Sequence, residues 1–119
     1  MTKLKWEYDK RADDLFIFKD ENYRYDVSLN FDERSLVDFD TNGIPCAFEF
    51  FNASELFGFN KEVLDNIKEI KINIIIDSNM VKVNTMIIAI FKNKIISNSL
   101  CKIKFNRGDF LNQSLELFS

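Results

Sequence analysis

Apolar and polar residues alternate with a period of two along most of this chain, the signature of β-strands with one buried face. Leu4, Trp6 and Tyr8 alternate with Lys5 and Glu7. From Leu15 to Phe18 the chain is apolar on both faces, as in a central strand. Tyr23, Tyr25, Val27, Leu29 and Phe31 alternate with Arg24, Asp26, Ser28 and Asn30, and Asp32-Glu33-Arg34-Ser35 reads as a turn.

Asn42-Gly43 is the strongest hairpin signal, because a two-residue type I′ turn needs positive φ at both positions. Such a turn pairs Thr41 with Ile44, Phe39 with Cys46 and Val37 with Phe48. It predicts a hairpin over 36–51, with Val37, Phe39, Ile44, Cys46, Phe48 and Phe50 facing the core and Asp38, Asp40, Pro45, Ala47 and Glu49 facing solvent. After Asn52-Ala53-Ser54 the period changes. Asn60 is suited to cap a helix over about 60–68, with Phe59 stapling onto Leu64, Val63, Leu64 and Ile67 forming an apolar stripe, and a turn before it around 54–58.

The second half returns to strands. Ile70, Ile72, Ile74 and Ile76 are expected opposite Val81, Val83, Thr85 and Ile87 across a turn at Ser78-Asn79. A turn at Asn93 leads to a strand from Ile95 to Phe105, and the segment QSLELFS can add a short edge strand. The pattern predicts an α+β fold: a mainly antiparallel sheet of about seven strands with one short helix near 60–68. The 119 residues fit a single domain, divided into a β module (1–54), a helical connection (55–68) and a β-meander extension (69–119).

Composition narrows the function more than it identifies it. Thirteen phenylalanines supply a sizeable core, and three glycines with one proline leave no linker-like segment. The net charge is −3 with dispersed lysines, which argues against tracking a phosphate backbone. The absence of histidine removes the usual proton shuttle and the commonest transition-metal ligand. Cys46 and Cys101 form no zinc-type pair and are expected as reduced, buried thiols. No secretion signal or membrane-spanning run is apparent, so the reading is a cytoplasmic protein with no cofactor, no nucleic acid and no membrane partner.

The stretch DFDTNGIPCAFE matches the helix-flanked calcium loop, with Asp38, Asp40, Asn42 and Glu49 at side-chain ligand positions and Gly43 at the sharp turn. Its flanks read as strands, and Pro45 lacks an N–H that the motif normally uses. The hairpin explains each residue without a metal, leaving at most weak binding of a hard cation on a shared acidic face. Asp9, Asp13 and Asp14 could serve a carboxylate-dependent hydrolase; as turn and solvent residues they need no such role.

The blocks YDKRADDLFIF and LVDFDTNGIPCAFEFFNAS resemble the small prokaryotic family known as domain of unknown function 2283. Tyr8, Asp9, Ala12, Asp13, Leu15 and Ile17 match its first pattern, with Phe16 in place of a usual Tyr. Val37, Asp38, Asp40, Gly43, Glu49, Ala53 and Ser54 match the second; Ala47 replaces a usual Gly, and Phe48, Phe50 and Phe51 replace aliphatics. The resemblance covers about residues 5–54. It implies a small β-rich cytoplasmic module and carries over no catalytic residue.

The expected function is a non-catalytic interaction or regulatory role, with cation or ligand binding and carboxylate hydrolysis as alternatives. A homodimer through the second half is expected as well. Ile75, Met86, Ile88, Ile90, Ile96 and Leu100 fall on the face of that sheet opposite the core, beside Lys82, Asn84 and Lys102.

Overall fold

The computed structural model describes residues 2–119. Among the described residues nine strands form two antiparallel sheets, where about seven were expected. The nine correspond one by one to the strand-like stretches of the sequence, β1 to the alternation of Leu4, Trp6 and Tyr8 and β9 to QSLELFS, so only the expected total was too low. The first sheet contains β1 (Leu4–Asp9), β2 (Asp14–Lys19), β3 (Tyr25–Asp32), β4 (Ser35–Asp40) and β5 (Pro45–Phe51), in the order β1-β2-β5-β4-β3. The second contains β6 (Ile67–Ile76), β7 (Met80–Phe91), β8 (Lys94–Phe105) and β9 (Gln113–Phe118), in the order β8-β7-β6-β9.

The alternation explains the packing. Leu15, Ile17, Val37, Phe39, Phe48 and Phe50 from the first sheet share one core with Ile70, Ile72, Ile74, Val81, Val83 and Ile87 from the second. Each isoleucine buried there contributes roughly 1.5–3 kcal/mol. β2, the apolar-on-both-faces segment, is central, between β1 and β5. The expected register of the second half is met: Ile70 lies opposite Ile87, Ile72 opposite Thr85, Ile74 opposite Val83 and Ile76 opposite Val81. β9 adds to the far edge of β6.

Between the sheets lie two short helices, α1 (Ala53–Phe57) and α2 (Lys61–Leu64), rather than one helix over 60–68. Asn60 caps α2 as expected, its Oδ1 accepting from Val63 N–H at 3.0 Å. The helix stops at Leu64 because Ile67 already belongs to β6 and pairs with Ala89. The sheet ladder prevails over a helix too short to propagate by itself.

The 36–51 hairpin forms, and Val37 pairs with Phe48, but its tip differs from the expected two-residue turn. Gly43 has φ 77° while Asn42 does not adopt positive φ. Gly43 N–H donates to Asp40 O and Asp40 N–H to Ile44 O, both at 2.9 Å, closing a three-residue loop. Phe39 therefore pairs with Pro45, and Cys46 is the extra residue of a bulge before Asp38 meets Ala47. Pro45 and Ala47, expected in solvent, are buried. The type I′ turn occurs instead at Lys92-Asn93, with φ 51° and 61°.

Candidate functional site

The four calcium-loop residues do not converge. Asp40 turns its Oδ1 onto its own loop, accepting from Asn42 N–H at 2.8 Å and Ile44 N–H at 3.0 Å. Asp38 Oδ1 accepts from Ser28 Oγ at 2.6 Å, and Ser28 in turn bonds Tyr25 Oη at 2.8 Å. Glu49 lies opposite Leu36, four residues along β4 from Asp40, a span of roughly 13 Å. Calcium oxygens must lie within about 2.6 Å of the ion, so an extended hairpin cannot close this set as a helix-flanked loop does. Among the described residues no group of three or more Asp, Glu, Cys or His side chains is placed to hold a metal.

The carboxylates proposed for hydrolysis separate into different roles. Asp9 Oδ1 accepts from Ala12 N–H at 3.1 Å within the β1–β2 turn. Asp13 is buried and left-handed, with φ 56°. Its Oδ1 accepts from Tyr8 Oη at 2.7 Å and Ser54 N–H at 3.1 Å, its Oδ2 from Ser54 Oγ at 2.6 Å, and its carbonyl from Ala53 N–H at 3.0 Å. It thereby satisfies the start of α1, where the residue preceding the helix, Asn52, supplies no side-chain cap. Burial pushes the Asp13 carboxyl up, but the hydrogen bonds from Ser54 and Tyr8 outweigh it and hold the group below its ordinary value. Burial, with the Asp13 hydrogen bond and charge, pushes the Tyr8 phenol up.

Asp14 projects to the other face of β2, where its register partner is Phe51 while Phe16 faces Glu49. Asp14 and Glu49 are diagonal neighbours on that face, with Asp38 flanking Glu49 from β4. Burial first, then a hydrogen bond and the charge of Asp14, then the charge of Asp38, push Glu49 up to about 7. Asp14 Oδ1 is enclosed without a hydrogen-bond partner. Phe16 and Phe18 stack beside them at 5.2 Å.

Cys46 is buried, its Sγ 3.3 Å from the Asp38 carbonyl, and burial together with Asp38 and Asp40 pushes its thiol up to about 12. Cys101, expected buried, is exposed because it lies on the outward side of β8.

The largest unassigned feature is the outward face of the second sheet. The first half covers the opposite, Ile-rich face and leaves this one bare. Ile75, Met86, Ile88 and Ile90 lie on it with Lys82 and Asn84, as expected; Ile96, Leu100 and Lys102 do not. Lys102 pairs with the inward Val83 and Leu100 with the inward Thr85, so even-numbered residues of β8 face the protein interior. There Lys102 Nζ meets Asp32 Oδ2 at 2.6 Å, and Lys104 Nζ donates to Asn30 O at 2.8 Å, tying β8 to β3. The odd residues Ile95, Ile103 and Phe105 take the outward side instead, at 77%, 58% and 67% exposure. A shallow groove of about 200 Å³ crosses the face between Lys71, Asn84, Met86, Ser99, Glu116 and Phe118.

A 66-residue stretch of the chain is 38% identical to the uncharacterized protein MJ0789 of Methanocaldococcus jannaschii. The stretch is 55% of this chain and 55% of that protein, so the match spans about half of each. No family model matches the chain, and no solved structure matches it. No helix among the described residues is long and apolar enough to cross a membrane.

Proposed function

We propose that this protein is a non-catalytic cytoplasmic interaction module whose binding surface is the outward face of the second sheet. The observation that carries the reading is the bare apolar content of that face: Ile75, Ile90, Ile95, Ile103, Phe105 and Phe118 are all exposed large hydrophobic residues. Contiguous exposure of this kind marks association sites in proteins that otherwise hide such side chains. The disposition of the acids supports it. Asp9, Asp13, Asp38 and Asp40 spend their oxygens on turns, a helix start and a neighbouring strand.

We also propose that residues 5–54 are a divergent copy of the domain of unknown function 2283. In support, Tyr8, Asp13, Ala53 and Ser54, drawn from both blocks of its pattern, meet in one hydrogen-bonded cluster.

The test of the interaction reading is affinity capture from the native host with the wild-type protein and with Ile75→Glu/Phe118→Glu as bait. A discrete partner held by the wild type and lost by the folded variant is expected. Identical recovery by both baits, or turnover in a hydrolase substrate panel, overturns the reading.

A further inference from the structure

The described residues present four sheet edges, and three are defended against pairing with another strand. β1 is six residues long and carries Lys5, Glu7 and Asp9. β9 is also six residues and carries Glu116. β3 contains two register irregularities and carries Asp26 and Asp32. Short length, charge and bulges are the usual protections of an edge.

β8 is neither short nor irregular, and of its three lysines Lys94 adjoins the turn while Lys102 and Lys104 are turned inward and engaged by Asp32 and Asn30 of β3. It runs for twelve residues, and its register with β7 is unbroken from Met80–Phe105 to Phe91–Lys94. The tight turn at Lys92-Asn93 makes Phe91–Lys94 the closing hydrogen-bonded pair, and beyond the strand Asn106 N–H donates to Asn79 O. Even-numbered residues of β8 therefore direct their backbone groups at β7. Backbone direction alternates along a strand, so the odd residues direct theirs outward, where no strand lies. These residues are Ile95, Ser97, Ser99, Cys101, Ile103 and Phe105: none is charged and none is proline.

We propose that the β8 edge pairs antiparallel with the β8 edge of a second copy of this chain, about a two-fold axis at Leu100, joining two four-stranded sheets into one. The proposal rests on the reading of the protein as an interaction module and names the chain itself as a partner.

The register follows from chemistry. Centring on Leu100 uses the whole strand and sets Ile95 against Phe105 of the second copy, Ser97 against Ile103 and Ser99 against Cys101. Ile95 and Phe105 are the most exposed of the large hydrophobic side chains, and this pairing covers both twice over. A β-branched residue opposite an aromatic one is a favourable cross-strand pair. Moving the axis to Ser99 sets Lys94 against Lys104, a like-charge pair; moving it to Cys101 leaves Ile95 unpaired. One outward donor is already engaged, Ser99 N–H by its neighbour Asn98 Oδ1 at 2.9 Å, and pairing exchanges that bond for one between copies.

Sedimentation velocity on the full chain, from micromolar to sub-millimolar concentration, tests the proposal, with circular dichroism to verify folding of each variant. A dimer is expected for the wild type. Ser97→Pro removes an outward N–H while sparing the bonds to β7, and should weaken association at least tenfold. Ile95→Lys with Phe105→Lys opposes like charges across the two-fold and should give monomer. Ile95→Lys with Phe105→Glu opposes unlike charges and should keep the dimer. A wild-type monomer throughout, a dimer indifferent to Ser97→Pro and to the paired lysines, or a monomer that binds only added strands of another sequence overturns it. Because the Ile75/Phe118 test uses other side chains, failure here leaves the outward-face reading standing.

Discussion

Asp13 and Ser54 stand 41 residues apart in the chain and are joined twice, through the Ser54 backbone N–H at 3.1 Å and its hydroxyl at 2.6 Å. The link fixes the β1–β2 turn to the beginning of α1. Removing the carboxylate leaves Tyr8 Oη and both Ser54 donors short of a partner. Asp13→Ala should destabilise the fold by about 2–4 kcal/mol, read as a lower urea midpoint with unchanged slope. The folded carboxyl lies below its ordinary value, so the stability it contributes is complete above the unfolded pKa and is lost as pH falls through the folded one. Asp13→Asn should therefore flatten the acid limb of the stability profile.

Glu49 works in the opposite sense. Its carboxyl is pushed up to about 7, so the folded protein holds a proton that the unfolded chain has released. The associated stability is present below the unfolded pKa near 4.3 and is lost as pH rises to about 7. Solvent reaching the partly exposed group limits the effect to about 1 kcal/mol. Glu49→Gln should be the more stable protein at pH 8 and lose its advantage by pH 5; equal urea midpoints at pH 8 would contradict the account.

Thr85 sits fully buried opposite Ile72 and Leu100, and its Oγ1 has no hydrogen-bond partner. A buried hydroxyl without a partner is a penalty that an isosteric apolar side chain removes. Thr85→Val should raise stability by about 1 kcal/mol in thermal or urea unfolding.

Millimolar calcium should leave the thermal midpoint unchanged. A ligand at about a hundred times its Kd adds roughly 2.7 kcal/mol, which moves the midpoint of a small domain by several degrees. A rise of that size, abolished by Asp38→Ala, would show that the hairpin gathers a cation despite the separation of Asp40 from Glu49.

The strand pairings were legible where alternation was long and a turn fixed the phase. The Ile70–Ile76 ladder against Val81–Ile87 is the clearest case. Misreadings arose where one residue changes the phase. The bulge at Cys46 moves Pro45 opposite Phe39, and an irregularity between Tyr25 and Val27 turns Tyr25 toward Ser28, on the same side as Asp38. The same sensitivity misplaced Ile96 and Leu100, because β8 mixes apolar and polar residues on both faces and its side is set only by pairing with β7. The Asp13–Ser54 bond was hidden for another reason: no local pattern records which distant N–H groups a turn carboxylate will serve.

The shared core bears on how the chain acquires its shape during synthesis. β1 to β5 emerge first, and until β6 and β7 arrive their Phe39, Phe48 and Phe50 have no isoleucine wall to meet. Phe39 finds its stacking partner, Phe110, only in the loop before β9, and Gly43 O receives Gln113 Nε2 from that last strand. Contacts so distant in sequence form slowly, and an unmatched aromatic sheet invites premature association. The nascent first half is thus a vulnerable species, and its rescue depends on residues translated well after it.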